Sequence, residues 1–181
     1  MKDKIFYLLF FGTILSLSRL IPHPPNFTPI LASAIIAPLL LKDRLLGMTV
    51  PIVAMFISDF IIGFHPYQLV VYLTLLTIAL ISPMQKNYAI LGIMAVGGSI
   101  WFFITTNFAV WIIWDYYPKT IEGLITSYTL AIPFFKNTVI STILFTGLLT
   151  ISIKYLDKAN NKTNFFISVF IKKKLNFIKN I

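Results

Sequence analysis

Long apolar segments with few charges constrain the fold of this chain more than any other feature. Of its 181 residues, 57% are hydrophobic and only 12% are charged, whereas a soluble domain carries about a quarter charged residues. Inside a bilayer the backbone finds no water, so only helices and closed barrels can span it. The apolar segments are longer than the roughly ten-residue strands of a membrane barrel and lack their alternation. The sequence therefore predicts an all-α membrane protein.

Six segments come near the length of about 20 apolar residues that a membrane-spanning helix needs. They are residues 5–22, 27–41, 45–64, 67–83, 88–114 and 134–153. The second segment is short and contains prolines, which is tolerable if protein rather than lipid surrounds it. We expect Pro29 in the first turn of a helix capped by Thr28, and we expect Pro38 to kink or end that helix.

The distribution of basic residues orients these six predicted spans. With a cytoplasmic N-terminus, twelve of the fifteen lysines and arginines lie inside, and only Arg19, Lys119 and Lys136 lie outside. This obeys the positive-inside rule, and an even number of spans also keeps the basic C-terminal segment inside. We predict a multi-pass protein of the bacterial plasma membrane. Residues 1–153 form a single transmembrane domain, and residues 154–181 form a basic amphipathic tail on anionic lipid at the cytoplasmic face.

The segment between the fifth and sixth spans, residues 115–133, is too long for a tight turn. Pro118 and Thr120 are typical of a helix start. Apolar residues then recur from Ile121 to Ile132 with the spacing of one helix face. The pattern predicts a separate amphipathic helix on the outer surface, which is either a lid over a site or a plain interfacial helix.

Most other polar side chains fall near the outer ends of the predicted spans. Polar groups in hydrocarbon are costly and persist mainly where they form a site. We therefore predict a ligand site near the outer face. Its candidate residues are Arg19, His23, Asn26, Thr28, Asp59, His65, Trp101, Thr105, Asn107, Trp111 and Glu122.

Arg19 and Asp59 are the clearest pair among these candidates. Each lies near the outer end of its span, and a rise of about 1.5 Å per residue places the two at similar depth. Either charge alone would be costly in the membrane. Together they can hold charged groups of a ligand, or they can form an ion pair that only fixes helix packing.

The loop at residues 23–29 and the fifth span supply the remaining candidates. Three prolines stiffen the loop, so its polar side chains are presented at little entropic cost. Asn107 lies deep in a helix and needs hydrogen-bond partners that a ligand could supply. Trp111 and Trp114 also fit the aromatic belt of a membrane interface, whereas Trp101 lies deeper.

Several function classes have no support in the sequence. Cysteine is absent, which excludes disulfides, thiolate metal sites and thiol nucleophiles. The chain contains no Walker loop, dinucleotide fingerprint or Gly-x-Ser-x-Gly motif. Asp59 and His65 are too few for zinc, which usually takes three or four protein ligands. We predict no enzyme activity, no cofactor, no metal and no nucleic acid partner.

The motifs together resemble an uncharacterised family of bacterial integral membrane proteins. They are PHPPNFTP at 22–29, Ser58-Asp59 with Gly63-Phe64-His65, TTNFAVW at 105–111, Glu122-Gly123-Leu124 and AIPFFKNT at 131–138. The resemblance covers most of the chain. That family is distantly similar to the substrate-binding S components of energy-coupling factor (ECF) vitamin transporters, which are six-helix membrane proteins.

The resemblance implies a substrate-binding subunit for the uptake of a small vitamin-like nutrient. Its ligand would lie near the outer face, under the loops that follow the first and fifth helices. An ECF-type transmembrane subunit and ATPases would be its partners. The alanine pair that docks many S components is missing from the first span, and either Gly12 with Ser16 or Ser33 with Ala37 could replace it. The alternative is a structural or assembly protein whose polar cluster only stabilises helix packing.

Overall fold

A computed structural model describes the backbone of residues 2–179 and the side chains of residues 8–155. All regular structure in this part of the chain is helical. The helices are α1 Lys2–Leu20, α2 Ile30–Leu41, α3 Arg44–Ile62, α4 Gln68–Ile81, α5 Tyr88–Ile113 and α6 Ile121–Lys179. The predicted all-α class is confirmed.

Among the described residues, three helical stretches are long and apolar enough to cross a membrane. They are Arg44–Ile62, Tyr88–Ile113 and Ile121–Tyr155. The apolar stretches Leu8–Leu20, Ile30–Leu41 and Gln68–Ile81 are shorter. Large apolar side chains such as Phe60, Leu69 and Ile93 are exposed, as expected where a helix faces lipid. These features support a membrane protein, and the crossing of all six helices stays a prediction.

Helix α2 is the buried centre of the bundle. Every residue from Ile30 to Leu39 is buried, and α2 contacts α3, α4 and α5. Because neighbouring helices cover it, α2 does not need the length that a lipid-facing span requires. Protein therefore surrounds this short segment, which is the condition that makes its length tolerable.

Helix α2 begins one residue later than the sequence predicts. The helix begins at Ile30, and Pro29 is its N-cap, with the Pro29 carbonyl accepting the Ser33 N–H at 2.8 Å. The prediction of Thr28 as the cap is therefore wrong by one residue, because the fixed φ of proline suits Pro29 to the junction itself. Pro38 lies inside the helix, which continues to Leu41.

Helices α2 and α3 approach each other closely at Gly47. A β-carbon on Gly47 would lie 2.3 Å from the Cα of Pro38 and 2.8 Å from the carbonyl carbon of Ala37. Both contacts are with backbone atoms, which cannot move aside as a flexible side chain can. Glycine is therefore the residue that lets α2 pack against α3 here.

Helix α6 begins at Ile121 and continues through Pro133. The Thr120 hydroxyl accepts the Gly123 N–H at 3.2 Å, so the predicted helix start is confirmed. The prediction of a separate surface helix is wrong, because the amphipathic stretch and the predicted sixth span form one helix. A proline removes one backbone hydrogen bond, a loss that helices in membranes tolerate.

The chain divides into two compact units, Met1–Gly147 and Leu148–Ile181. The first contains α1 to α5 and the N-terminal part of α6. The second is the C-terminal part of α6. The predicted tail on anionic lipid concerns side chains that, from residue 156 onward, lie outside the described part of the chain.

Candidate functional site

A cavity of about 730 Å³ lies where α1, α3 and α5 end and α2, α4 and α6 begin. We call this the cavity end of the bundle. All six helices contribute to the lining, and the volume is in the range of about 300–1,000 Å³ that is typical of small-molecule sites. The predicted ligand residues that line it are Arg19, His23, Asn26, Thr28, His65 and Asn107.

Arg19 and Asp59 form an ion pair at the cavity wall. Nη1 of Arg19 donates to Oδ1 of Asp59 at 2.5 Å and to the Ser58 hydroxyl at 2.5 Å. The Arg19 side chain is 18% exposed, whereas that of Asp59 is 1% exposed and is not among the lining residues. The contact confirms the prediction that the two residues lie at similar depth.

Helix α4 supplies two further donors to the same carboxylate. Gln68 Nε2 and the Tyr72 hydroxyl each donate to Oδ2 of Asp59 at 3.0 Å. Both carboxylate oxygens are therefore bonded, as a buried charge requires. We call Arg19, Ser58, Asp59, Gln68 and Tyr72 the Asp59 cluster. The cluster joins α1, α3 and α4 at the cavity end.

The hydrogen bonds of the Arg19 guanidinium all involve Nη1. Besides Asp59 and Ser58, this atom lies 3.5 Å from the Met55 carbonyl. Within the described part of the chain, Nε and Nη2 donate to no protein acceptor. A guanidinium carries five N–H donors in a rigid fork, so Arg19 retains donors for an acceptor in the cavity.

The loop between α1 and α2 is held against α6. Asn26 has a φ of 61°, the left-handed conformation that the third residue of a type II turn requires. Asn137 Nδ2 donates to the Pro25 carbonyl at 3.0 Å, and the Ser141 hydroxyl donates to the Asn26 carbonyl at 3.3 Å. These bonds and the prolines fix one conformation of the loop at the cavity wall.

The loop between α5 and α6 is held by the C-terminal end of α5. Lys119 Nζ donates to the carbonyls of Trp111 and Trp114 at 2.5 and 2.6 Å, which lie where a helix leaves carbonyls without intrahelical partners. The Trp111 indole N–H donates to the Pro118 carbonyl at 2.9 Å. Tyr116 of this loop lines the cavity.

His65 lines the cavity, and one of its ring nitrogens is enclosed by protein atoms. Its Nδ1 is buried and has no hydrogen-bond partner within the described residues, and its ring centroid lies 4.1 Å from that of Tyr67. Burial lowers the pKa of His65, while Asp59 raises it and Arg19 lowers it. The neutral imidazole therefore prevails at neutral pH and offers both a donor and an acceptor.

Asn107 is a half-buried polar residue of the lining. Its Nδ2 donates to the Phe103 carbonyl of the preceding turn at 2.7 Å. In the described structure its amide oxygen accepts no hydrogen bond. The helix thus satisfies one end of the amide, and the oxygen remains for a donor in the cavity.

Aromatic rings form two packed groups in the lining. Trp114 lies 5.3 Å from Tyr67 and 4.5 Å from Tyr116, measured between ring centroids. Phe103 of α5 lies 4.6 Å from Phe135 of α6 at an interplanar angle of 35°. Rings that pack on one another have little freedom left to lose when a ligand binds. These walls are therefore preorganised.

Five predicted ligand residues are not among those lining the cavity: Asp59, Trp101, Thr105, Trp111 and Glu122. The Trp101 indole donates to the Thr77 hydroxyl at 3.0 Å, and the Thr105 and Thr74 hydroxyls lie 2.9 Å apart. These bonds form a polar seam between α4 and α5. Glu122 is exposed in the first turn of α6. A ligand contact of these residues stays a prediction.

The small residues considered for partner docking are used inside the bundle. Gly12 is buried against Val53, and Ser16 is buried and donates to the Ala54 carbonyl at 2.9 Å. Ser33 and Ala37 are buried in α2. Neither pair is therefore available to a partner, because packing within the bundle already covers both. Among the described residues, no group of three His, Asp or Glu side chains could hold a metal ion.

The sequence reasoning missed two kinds of site residue. Gln68 could have been found, because it is a polar residue in the first turn of the helix that follows the span with Asp59. The aromatic lining residues Phe102, Phe103, Phe134 and Phe135 carry no such signal. An aromatic residue in an apolar span looks the same whether it faces lipid or a cavity.

No curated protein and no solved structure matches this chain. One family model matches residues 1–164, in agreement with the resemblance to an uncharacterised family. The chain belongs to DUF6580, a family of unknown function.

Proposed function

We propose that this protein captures a small nutrient from outside the cell and supports its import. The observation that carries the proposal is the cavity of about 730 Å³ at one end of the bundle. Its two adjoining loops are fixed by hydrogen bonds, and its lining combines aromatic walls with polar groups that lack protein partners. Such a combination is typical of small-molecule sites.

The lining residues have distinct roles in this proposal. Arg19 binds an acidic group of the ligand, and the Asp59 cluster holds the guanidinium in place. His65 and Asn107 form hydrogen bonds that orient the ligand, together with His23 and Asn26 of the stiff loop. The aromatic walls cover its apolar part. No catalytic step is part of the proposal.

The proposed topology follows the charge distribution. Six spans with both termini in the cytoplasm put the cavity end at the outer face of the plasma membrane. Energy for import would come from an ECF-type transmembrane subunit with its ATPases, or from an ion gradient.

Thiol labelling in intact cells tests capture from the outer face, because the native chain has no cysteine. Ala131 lines the cavity, so we expect Ala131→Cys to react with a membrane-impermeant methanethiosulfonate added outside. Extracellular metabolites that bind the cavity should slow this reaction. The matched control is Gln85→Cys in the α4–α5 loop, which should react only after the membrane is permeabilised. The reverse pattern would contradict the proposal.

A structural role is the second candidate, and the Asp59 cluster favours it. Its carboxylate is fully bonded within the protein and ties three helices together, which helix packing alone could require. In that case the double variant Arg19→Gln/Asp59→Asn would change stability and no small molecule would bind. The capture proposal instead predicts that this variant loses ligand affinity while it remains folded.

A further inference from the structure

We infer that the cavity takes a flat aromatic or heteroaromatic molecule that carries one carboxylate, and that the carboxylate binds Arg19. This inference rests on the proposed function and names the ligand class of the same site. Three observations support it: the charge of the lining residues, the hydrogen bonds that Asp59 accepts, and the aromatic walls of the cavity.

The charge of the lining favours an anion. Arg19 is the only Lys, Arg, Asp or Glu among the residues that line the cavity. Its Nε and Nη2 donate to no acceptor within the described chain, so a carboxylate could satisfy donors that are now open. Pairs between a guanidinium and a carboxylate are often bidentate, and they are about twice as strong as hydrogen bonds between neutral groups.

The bonding of Asp59 disfavours a cationic ligand. Its two oxygens already accept from Arg19, Gln68 and Tyr72, and its side chain is 1% exposed. An ammonium group in the cavity would find no open carboxylate and would meet the Arg19 cation. Burying a charge without a partner is costly, so amines should bind weakly.

A single guanidinium also limits the number of negative charges on the ligand. Asp59 already neutralises Arg19 in part, and a second negative charge would have no cation in the lining. A dianionic phosphate would therefore remain poorly paired inside a largely apolar cavity. A carboxylate carries one charge and presents two oxygens to the planar fork of the guanidinium.

The aromatic walls select a flat molecule. Trp114 packs with Tyr67 and Tyr116, and Phe103 packs with Phe135 across α5 and α6. Rings stack on other rings with a gain beyond that of area burial alone. A flat aromatic body therefore uses this lining better than a puckered ring of similar size.

A matched set of four probes tests the ligand class with the full-length protein in mild detergent. The probes are indole-3-acetate, indole-3-acetamide, tryptamine and octahydroinden-1-ylacetate, measured by calorimetry. The last is a puckered saturated bicycle with nine ring atoms, as many as indole has. We expect indole-3-acetate to bind at least tenfold more tightly than each of the others, which corresponds to about 1.4 kcal/mol. In Arg19→Gln/Asp59→Asn the acetate and the acetamide should bind equally. This variant removes both charges, so no buried carboxylate loses its partner.

The control variant is Lys136→Gln. It removes an exposed cation of α6 that is not among the residues lining the cavity. It should keep the full preference for indole-3-acetate. Tighter binding of the acetamide or tryptamine would overturn the ligand class and leave the proposed capture function intact. Binding of octahydroinden-1-ylacetate as tight as that of indole-3-acetate would overturn the preference for flat molecules. Failure of every probe to bind would overturn the inference, while a metabolite that copurifies with the protein would still support capture.

Discussion

The Asp59 cluster and the cavity lining lie at the same end of the bundle, but their polar groups are bonded differently. In the cluster, the buried carboxylate receives hydrogen bonds from Arg19, Gln68 and Tyr72. In the lining, His65 Nδ1 is buried without a partner, and Asn107 uses only its amide nitrogen. Arg19 belongs to both regions. The carboxylate of the first region is fully bonded, whereas the second region contains polar atoms without a partner among the described residues.

This difference shows why buried polar residues alone do not define a binding site. Polar residues of both regions are costly to place in hydrocarbon. This energetic cost alone does not distinguish the two regions, so the sequence predicts one combined set of candidates. The two regions differ in whether their polar groups already have hydrogen-bond partners. A fully bonded group gains little from a ligand, whereas a group without a partner gains one. Substitutions in the two regions should therefore affect different measurements.

The largest expected effect is on stability, from Arg19→Ala. This change leaves the Asp59 carboxylate buried without its cation, and breaking a buried pair in this way costs about 3–5 kcal/mol. Thermal unfolding in detergent should show a large drop in Tm for Arg19→Ala. The double variant Arg19→Gln/Asp59→Asn should recover much of it. If the two variants were equally unstable, the cluster would not support the bundle through its charges.

A substitution far from the cavity should lower stability without changing binding. In Gly47→Ala the new β-carbon would meet the Pro38 backbone at 2.3 Å, and such overpacking costs about 1–3 kcal/mol. We expect a lower Tm with unchanged ligand affinity. Gly97→Ala is the matched control, because nothing lies within 4 Å of a β-carbon there. A changed affinity in Gly47→Ala would show that packing and binding are not separable.

Asn107→Leu, a substitution in the cavity lining, should weaken ligand binding without a large change in stability. Its side chain bonds only the carbonyl of its own helix, so the Tm should change little. The loss of an acceptor in the cavity should weaken ligand binding about tenfold, which corresponds to about 1.4 kcal/mol. A large drop in Tm with unchanged affinity would place Asn107 in the support of the bundle.

The smallest expected effect is a pH dependence through His65. Burial lowers its pKa in the folded protein, so below a pH of about 6.5 the unfolded chain binds a proton that the folded chain does not. Stability from this residue is therefore complete above that pH and decreases as the pH falls. Between pH 7.5 and 5.5, the Tm of the wild type should decrease more than that of His65→Gln. Equal slopes would contradict the prediction.

The bundle could be predicted from the sequence more completely than the cavity. The lengths of the apolar segments and the basic residues between them indicate the helices. The free-energy cost of an unpaired charge in the membrane indicates that Arg19 and Asp59 lie close together. The continuity of α6 through Pro133 could not be predicted, because a proline after an amphipathic stretch also fits a helix end. The cavity depends on how aromatic side chains pack between α5 and α6, and residue type alone does not reveal which of them face inward.

The most direct test of the account is native mass spectrometry of the purified full-length chain, with Tm measured in parallel. Wild-type protein from cells grown in rich medium should retain one small molecule. Ala131→Trp, which fills the cavity from α6, should lose it and keep the Tm of ligand-free wild-type protein, which is lower than that of the loaded protein. Retention of the molecule by Ala131→Trp, or an empty wild type that no carboxylate or other metabolite stabilises, would contradict the claim that the cavity captures a ligand.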